Sequence, residues 1–551
     1  MEYSFSKAAW GTPVVPHEER GALVIIPGQG VLEFASRNLS RIPLRKTGLI
    51  VFGSRVVSIF TGLLFLIMIT GWLTPARFGQ WEVILTFVTF ASYPAGWLGF
   101  WATRDVARGK MVGRTVILLN LLLSVAGAGI YFLISLYWSS FLGSSLAPFL
   151  LALLLVPLAY WSQAANSVAT GYRPAAMGYS LLLSESAKLV VAYAALFVFR
   201  LELNGVILAM LASYSVQGIA TTFFVQQAMA IPVDLETGKR WIRESWVPVV
   251  YTLATQISSA DTVAASAVAG YILAGYYQAS FQIGSLVGYA GYLTYALYPV
   301  LLRGGSDEAP DTTLDLILLF GIPMAAGVIA LAPQLLSVLS TAYVSAGRNV
   351  SPALAVIGVA ALVSAISGFF DSIILAKERA DLEETRSFGT YMKSGFSFVS
   401  KVNVTVAIVY VVSVITVASA GVLGGLGIST VVLVWAGFQL TIWTAGAAIK
   451  LRRVRKVAKL SFPRRALNYL AVAAAMSVLV FLLATIFPGA GAGRFENGLR
   501  VAGIAVVGSL FYFGVLFEVD SRFRNLASSL LSRRPEPAQD ESSRRPAPAS
   551  F

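Results

Sequence analysis

About fourteen long apolar stretches, separated mostly by short connections, occupy most of the chain and strongly limit what it can fold into. A bilayer core of about 30 Å needs roughly 20 apolar residues when a helix crosses it. Hydrophobic residues make up 57% of the chain and charged residues only 12%, about half the charged fraction that is usual in a soluble protein. The pattern therefore predicts an all-α polytopic membrane protein.

The predicted spans end within a few residues of the following bounds. They are 48–71, 83–101, 115–137, 146–163, 176–199, 203–226, 247–269, 273–301, 314–338, 352–376, 400–418, 426–449, 467–487 and 498–517. Residues 247–301 are nearly continuous and less apolar than the other stretches, so twelve or thirteen spans are alternatives to fourteen.

Basic residues are concentrated in every second connection. The two tails and the even-numbered connections contain 34 Lys and Arg residues, whereas the odd-numbered connections contain 4. Because cytoplasmic loops are enriched in Lys and Arg, this asymmetry predicts a multi-pass protein of the cell membrane with both termini in the cytoplasm. The net charge of +14 is then mainly a topology signal, and we expect membrane lipids, not nucleic acid, as partners.

A short internal repeat indicates that the chain contains two related halves. Ala76, Phe78 and Gln80 match Ala274, Tyr276 and Gln278 at a constant offset of 198 residues, and each set begins a span after a tight turn. Such placement is typical of transporters that arose by duplication and bind their substrate between the halves.

The repeat and the composition together predict five segments. Residues 1–46 form a cytoplasmic N-tail in which 31–42 could lie on the membrane as an amphipathic helix. Residues 47–230 and 231–450 form two six-helix bundles around a central cavity, residues 451–520 add two further spans, and residues 521–551 form a disordered C-tail.

Several parts that a membrane enzyme would need are missing from the sequence. The chain has no cysteine, a single histidine (His17) and no phosphate-binding loop motif. The first connection predicted to face outward, TGWLTPARFGQWE, contains a single carboxylate, that of Glu82. We therefore expect a protein that is not an enzyme and that uses neither a metal nor another cofactor, apart from a coupling ion (H⁺ or Na⁺) if one is used.

Ionisable residues fall inside several predicted spans, where a charge costs about 2.5–3.5 kcal/mol and often marks a cavity or a partner. Asp371 lies near the cytoplasmic edge of its span and is not selected, and four others are candidates for a cavity. Arg55 could either snorkel to the headgroups or bind an anionic group. Glu185 and Lys188 lie three residues apart on one helix face and are either a structural pair or a phosphate contact. Asp261 is either a packing residue or, like Glu185, a group that titrates or binds an ion. The predicted cavity residues are therefore Arg55, Glu185, Lys188 and Asp261.

Uncharged polar and aromatic residues also occur within or beside the spans. Their default role is to hold helices together, and contact with sugar hydroxyls or rings is the alternative. The candidates for lining a cavity are Asn120, Gln256, Gln282, Tyr289 and Tyr292.

Residues 40–530 resemble a known family. The similarity is carried by segments in a matching order: WLTPARFGQWEVILTF, GWLGFWATRDVARG, LELNGVILAMLASYSVQG, ILAGYYQASFQIG, YALYPVLL and LLSVLSTAYVSAGRNVSPALAVIGV. In these the chain is similar to the polysaccharide-biosynthesis (Wzx-type) branch of the multidrug/oligosaccharidyl-lipid/polysaccharide (MOP) flippase superfamily. Relatives often carry a cavity arginine in the first helix, where Arg55 stands. Many also carry an aspartate followed by arginine where Asp261 is followed by Thr262.

This resemblance implies that two bundles flip a polyprenyl-phosphate-linked oligosaccharide from the cytoplasmic to the outer leaflet by alternating access, for the synthesis of a cell-surface glycan or glycoprotein. The expected partners are the lipid-linked glycan, membrane lipids and, as candidates, glycan-assembly enzymes, and we expect a monomer. The alternatives are a cation-coupled drug exporter of the same superfamily and a membrane glycosyltransferase or ligase.

Overall fold

Long α-helices form nearly all of the structure, a computed structural model that describes residues 44–294, 309–376, 394–458, 460–461, 463–487, 494–521, 523–525 and 528. Within these ranges no β-strand occurs. The prediction of an all-α polytopic membrane protein is confirmed. The helix predicted at 31–42 and most of the predicted C-tail lie outside the described residues, so they stay predictions.

The first half of the chain contains eight of the helices that the structure describes. They are α1 (Leu44–Trp72), α2 (Pro75–Ser92), α3 (Ala95–Ala107), α4 (Gly113–Phe141), α5 (Ala147–Ala152), α6 (Leu155–Tyr172), α7 (Ala175–Tyr193) and α8 (Glu202–Phe224). A π-helical turn, Ala194–Val198, extends α7.

The remaining described helices follow in chain order. They are α9 (Leu235–Glu244), α10 (Trp246–Ser258), α11 (Asp261–Gly284), α12 (Ala309–Leu339), α13 (Ser351–Ala376), α14 (Gly395–Leu423), α15 (Ile428–Val457), α16 (Ala466–Ile486) and α17 (Arg494–Val519). A 3₁₀ segment, Ser285–Leu293, continues α11.

Helix α2 has clear start and stop signals in the sequence. Thr74 is the N-cap, its side-chain oxygen accepting from the Arg77 amide at 3.3 Å, and Pro75 occupies the first turn, where a missing N–H costs nothing. Pro94 follows the end of α2, and the chain bends there by 53° before α3 continues. Together, α2 and α3 have the length and composition of one broken span.

The stretch Pro248–Leu293 is long enough for two crossings and folds back on itself. In a straight helix, residues 262 and 278 would lie about 24 Å apart, yet the Gln278 amide donates to the Thr262 hydroxyl. The reversal occurs at Gly270, whose φ of 75° is left-handed and favours glycine.

The number of crossings agrees with the sequence-based estimate. Among the described residues, 12 helices are long and apolar enough to cross a membrane, or 13 when the bent α2–α3 pair is included. Dividing the stretch at Gly270 adds one more, which gives fourteen. Each of these crossings overlaps one predicted span.

Two buried apolar clusters hold the helices together. The larger one includes residues of both halves, such as Phe78 in α2 and Tyr276 in α11. The second joins α12 and α13 to α16 and α17. Along α12, Asp315 accepts from Tyr469 at 3.0 Å and the Leu319 carbonyl from Tyr512 at 3.1 Å, which fixes α16 and α17 against this helix.

Candidate functional site

Glu185 and Lys188 form an ion pair within α7, on the side of the helix that contacts α1. Their Oε1 and Nζ atoms are 2.8 Å apart, and each side chain is no more than 10% exposed. The Thr61 hydroxyl of α1 donates to the second carboxylate oxygen at 2.6 Å, and the ammonium group lies 5.1 Å from the centroid of the Phe65 ring. In this arrangement the two charges neutralise each other within the membrane region.

Arg55 lies on the same helix, α1, about 9 Å along the axis before Thr61. Its side chain is exposed. α1 approaches α7 closely at this level, because a Cβ on Gly178 would lie 3.0 Å from both Ser54 and Ile50. Arg55, Glu185 and Lys188 therefore share the α1–α7 region.

The two halves of the chain meet backbone to backbone where α2 packs against α11. A Cβ added to Gly79 would lie less than 3.0 Å from the Tyr271 carbonyl and the Gly275 nitrogen, and one added to Gly275 would lie less than 3.0 Å from the Pro75 carbonyl. Gly79 and Gly275 fall inside the two copies of the internal repeat, so the repeated segments contact each other. This contact is called the α2–α11 seam below.

Asp261 starts α11 and accepts several hydrogen bonds. Tyr410 of α14 donates to its Oδ2 at 2.7 Å, and the amide and hydroxyl of Thr262 donate to its Oδ1 at 2.6 and 3.0 Å. Gln278, on the other side of the Gly270 reversal, donates to Thr262. Asp261 is thus held at the centre of a buried polar network.

Aromatic residues of three helices complete this network. The hydroxyl groups of Tyr277 and Tyr410 are 2.7 Å apart, and Trp435 donates to Tyr410 at 3.1 Å. Tyr277 stacks on Trp435 with ring centroids 3.6 Å apart and donates to Gln439 at 3.1 Å. The Gln439 side-chain nitrogen is buried and has no partner in the described part of the chain.

A second carboxylate, Glu82 of α2, reaches this region from the other half. It is buried, interacts with Gln282 of α11 and is close enough to Asp261 for the two carboxylates to repel each other. Every residue from Phe78 to Ile84 is buried, so this part of α2 is enclosed on all sides.

The sequence pattern placed Glu82 in a connection, so its buried position between the halves was not predicted. The internal repeat could have indicated this position, because it marks α2 and α11 as equivalent helices of the two halves.

The other predicted polar and aromatic residues lie in separate places. Asn120 is fully buried in α4, where it donates to the Val116 carbonyl at 2.9 Å. The Gln256 Oε1 atom is buried without a partner among the described residues. Gln282 lies beside Glu82, and Tyr289 stacks on Tyr292 with centroids 5.1 Å apart.

The predicted site residues thus fall into two main groups, one at the α1–α7 region and one beside the α2–α11 seam. The structure does not bring Lys188 into contact with Asp261. That the four ionisable residues line one central cavity between the halves stays a prediction.

A cavity of about 360 Å³ lies inside the second half, between α10, α13, α14 and α15. None of the nine predicted site residues lines it. It contains an ion pair between Lys450 and Asp371, with Nζ and Oδ2 2.7 Å apart. Lys450, which the sequence analysis counted in a basic connection, is buried in α15.

Three solved structures with similar folds belong to transporters. A lipid II flippase, MurJ, in an inward closed conformation has a TM-score of 0.55 and 13% identity, covering 86% of this chain and 98% of that one. An inward-facing multidrug resistance MATE transporter of the MOP superfamily has a TM-score of 0.53 and 14% identity, covering 73% and 95%. A MATE protein in complex with MaL6 has a TM-score of 0.51 and 15% identity, covering 78% and 99%.

The chain therefore has the fold of MOP-superfamily transporters and is a multi-pass membrane protein. No protein-family model matches the sequence, and no curated protein matches it significantly. Its assignment to the polysaccharide branch rests on the sequence resemblance alone.

Proposed function

We propose that the protein is a flippase that moves a polyprenyl-phosphate-linked oligosaccharide from the cytoplasmic to the outer leaflet by alternating access. The observation that carries this proposal is the α2–α11 seam. Two equivalent helices of the repeated halves touch there over glycine backbones, so rigid movement of one half against the other would open a route. The fold, which a lipid II flippase and multidrug transporters share, supports the same interpretation.

A second contact between the halves lies toward the other membrane face. Tyr93, at the α2–α3 bend, donates to the Val249 carbonyl of α10 at 2.9 Å and lies 2.8 Å from the Thr252 hydroxyl. With the α2–α11 seam also closed, this conformation holds the halves together near both ends of α2. Transport then requires that the two contacts open alternately.

In this proposal the basic residues of the α1–α7 region bind the phosphate of the substrate. Lys188 is neutralised by Glu185 here, so an arriving phosphate would compete with that carboxylate. Such competition keeps binding moderate, which a transporter needs because the cargo must be released. Arg55 supplies a second positive charge from the neighbouring helix, α1.

The coupling ion, H⁺ or Na⁺, would bind at Asp261 with Glu82 close by. No Lys or Arg side chain forms an ion pair with either carboxylate among the described residues, and a buried carboxylate without a cation is costly. A cation that binds more tightly in one conformation than in the other can drive the change between them. Glu185 stays the alternative coupling group.

The second candidate function is a cation-coupled drug exporter. It is favoured by the similarity in fold to MATE transporters and by the carboxylates at Asp261 and Glu82, which would suit a cation in either mechanism. The turn motifs of the sequence favour the flippase. A membrane glycosyltransferase or ligase would instead have to consume an activated sugar donor.

The deciding experiment uses purified protein in liposomes that contain a fluorescent polyprenyl-phosphate-linked oligosaccharide. A membrane-impermeant quencher measures how much label reaches the opposite leaflet, and protein-free liposomes are the control. We expect faster movement with the protein, and no sugar release from a nucleotide-sugar donor. Movement no faster than in protein-free liposomes, together with gradient-driven efflux of ethidium, would instead establish the exporter.

A further inference from the structure

The cavity inside the second half has a lining that is unusually polar for a membrane-spanning region. Each of its four helices turns one face toward it; on α15, for example, the lining residues Trp443, Gly446 and Lys450 are three and four residues apart. The lining residues are Thr252, Ala254, Thr255, Ser258, Ser364, Ser367, Gly368, Asp371, Val399, Asn403, Val406, Trp443, Gly446 and Lys450. Its volume of about 360 Å³ falls within the range of roughly 300–1,000 Å³ found for small-molecule sites.

The charges in the cavity cancel. Lys450 donates to Asp371 at 2.7 Å and to the Ser367 hydroxyl at 2.8 Å, and Asn403 donates to the same carboxylate oxygen at 3.3 Å. A phosphate would meet the Asp371 carboxylate and an organic cation the Lys450 ammonium. The α1–α7 region has a second cation, Arg55, with which to hold a phosphate, whereas the described lining of this cavity has no cation beyond Lys450. The cavity therefore favours a neutral, polar ligand.

Several hydrogen-bonding groups in the lining are unused. The hydroxyls of Thr255, Ser258 and Ser364 have no hydrogen bond within the described residues, and Thr255 and Ser364 are exposed. The Asp371 Oδ1 atom is buried and has no partner there either. Trp443 adds an aromatic surface. Free hydroxyls, one free carboxylate oxygen and an aromatic ring together match the mixed polar and apolar faces of a sugar.

The cavity also lies beside the contact between the halves. Thr252, in its wall, is the residue that Tyr93 of the first half contacts. Thr252 and Ser258 lie about 9 and 18 Å from the start of α10, which is the end predicted to be cytoplasmic. Thr255, Ser364 and Gly368 of its lining are already exposed, so separation of Tyr93 from α10 would widen the cavity toward the route between the halves.

We propose that this cavity binds one neutral sugar unit of the transported head group, with Thr255, Ser364 and Asp371 as hydrogen-bonding residues and Trp443 as the stacking surface. The Lys450–Asp371 pair positions the carboxylate. This assignment of the substrate's sugar portion rests on the proposed flippase function, whereas the phosphate is assigned to the α1–α7 region.

The test uses the absence of cysteine from the chain. Ser258→Cys places a single thiol in the cavity wall, and its rate of modification by a thiol reagent is measured in purified protein. Methyl glycosides of glucose, galactose, mannose, rhamnose and N-acetylglucosamine are added separately at millimolar concentration. We expect at least one glycoside to slow the modification twofold or more, and inorganic phosphate and tetramethylammonium to have no effect.

Two further substitutions test the contacts without disturbing the fold. Thr255→Val and Ser364→Ala, each in the Ser258→Cys background, remove hydroxyls that bond to nothing in the described structure. Each should weaken the protection by roughly two- to tenfold, whereas Thr441→Val, on the exposed side of α15, should not. Failure of the introduced thiol to react, protection by phosphate or tetramethylammonium only, or no protection by any compound would overturn the proposal.

Failure of the cavity proposal and failure of the proposed function give different results. If the wild-type protein flips the lipid-linked oligosaccharide but no glycoside protects the introduced thiol, the cavity assignment is wrong and the flippase function stands. If a glycoside protects the thiol but no lipid-linked sugar moves, the cavity is a sugar site and the flippase function is wrong.

Discussion

At the scale of single residues, the Glu185–Lys188 pair allows a structural role to be separated from a binding role. Removing one partner of a buried pair leaves an uncompensated charge, at a cost of about 3–5 kcal/mol, whereas removing both is often nearly neutral. Lys188→Met alone should therefore lower the melting temperature clearly, and the double variant Glu185→Gln/Lys188→Met should restore it.

The double variant also tests phosphate binding. Because it is expected to be stable, loss of flipping in liposomes would assign the defect to the missing ammonium group and not to misfolding. Glu236→Gln, an exposed acid on α9, is the control and should match the wild type. Normal flipping by the stable double variant would remove Lys188 from the phosphate site.

Asp261 is the residue at which ion coupling can be tested directly. Asparagine can still accept the hydrogen bond from Tyr410 but has no charge with which to hold H⁺ or Na⁺. Asp261→Asn should fold normally, and its flipping rate with an imposed proton or sodium gradient should fall to the rate without one. If the gradient still accelerates the variant, Asp261 does not bind the coupling ion, and Glu82 becomes the next residue to test.

At the scale of helices, the α2–α11 seam depends on two positions that have no side chain. Gly79→Val would force α2 away from the Tyr271 carbonyl, so it should open this end of the contact. A cysteine at Gln80, which is buried in the closed arrangement, should then react several-fold faster with an impermeant reagent added outside cells. Gly129→Val on α4, where a Cβ meets nothing within 4 Å, is the matched control. Equal reactivity in both backgrounds would contradict the closing role of the seam.

Helix α9 begins with a charged cap whose effect depends on pH. The Thr237 hydroxyl and then the Thr237 amide bond to Asp234, and these bonds hold the pKa of its carboxyl below the usual value. A lowered pKa in the folded state means that the ionised cap stabilises α9 above the unfolded value of about 3.9 and stops doing so as the pH falls through the folded value.

Hydrogen exchange at the Glu236 and Thr237 amides measures this cap. Asp234→Ala should raise their exchange roughly fivefold, as expected for a cap contributing about 1 kcal/mol. Asp234→Asn should retain the protection and lose its pH dependence. Unchanged exchange in the alanine variant would show that packing of the buried Trp241 holds α9 without the cap.

The helices could be predicted from the sequence more completely than the site. Each span needs only a long apolar run, which is a local property, so all fourteen predicted spans have a counterpart in the structure. The division of 247–301 was the least secure span boundary, and the structure places it at Gly270, where only the backbone angle marks the reversal.

The grouping of side chains depends on which helices pack together, and no apolar run encodes that. Sequence reasoning placed Glu82 in a connection because its burial comes from α11, some 180 residues further along the chain. It placed Lys450 among the cytoplasmic charges because its partner, Asp371, lies on a different helix. The repeat at offset 198 contained part of this information, since its two copies turn out to be neighbours.

At the scale of the whole molecule, Tyr93 controls the contact between the halves near the predicted cytoplasmic face. Tyr93→Phe removes one phenol hydroxyl. Thr252 keeps another hydrogen bond, because its hydroxyl still donates to the Pro248 carbonyl at 2.7 Å. Losing the Tyr93 hydrogen bond should cost about 1 kcal/mol, which raises the ratio of separated to joined halves roughly fivefold. A cysteine at Gln256, which is half-buried one turn beyond Thr252 on α10, should therefore react faster from the cytoplasmic side. Tyr172→Phe, which loses a bond to Gln227 inside the first half, should leave its rate unchanged.

Alternating access makes a stronger demand, because opening one face must reduce opening of the other. Gly79→Val should open the α2–α11 seam and so draw molecules away from the conformation in which Tyr93 is separated from α10. In that background the cysteine at Gln256 should react more slowly than it does without Gly79→Val, and adding Tyr93→Phe should bring its rate back toward that value. If Gly79→Val instead leaves the Gln256 cysteine equally reactive or speeds its modification, the two faces open independently. The halves would then form a leaky pore, and a transport cycle built on their relative movement would be excluded.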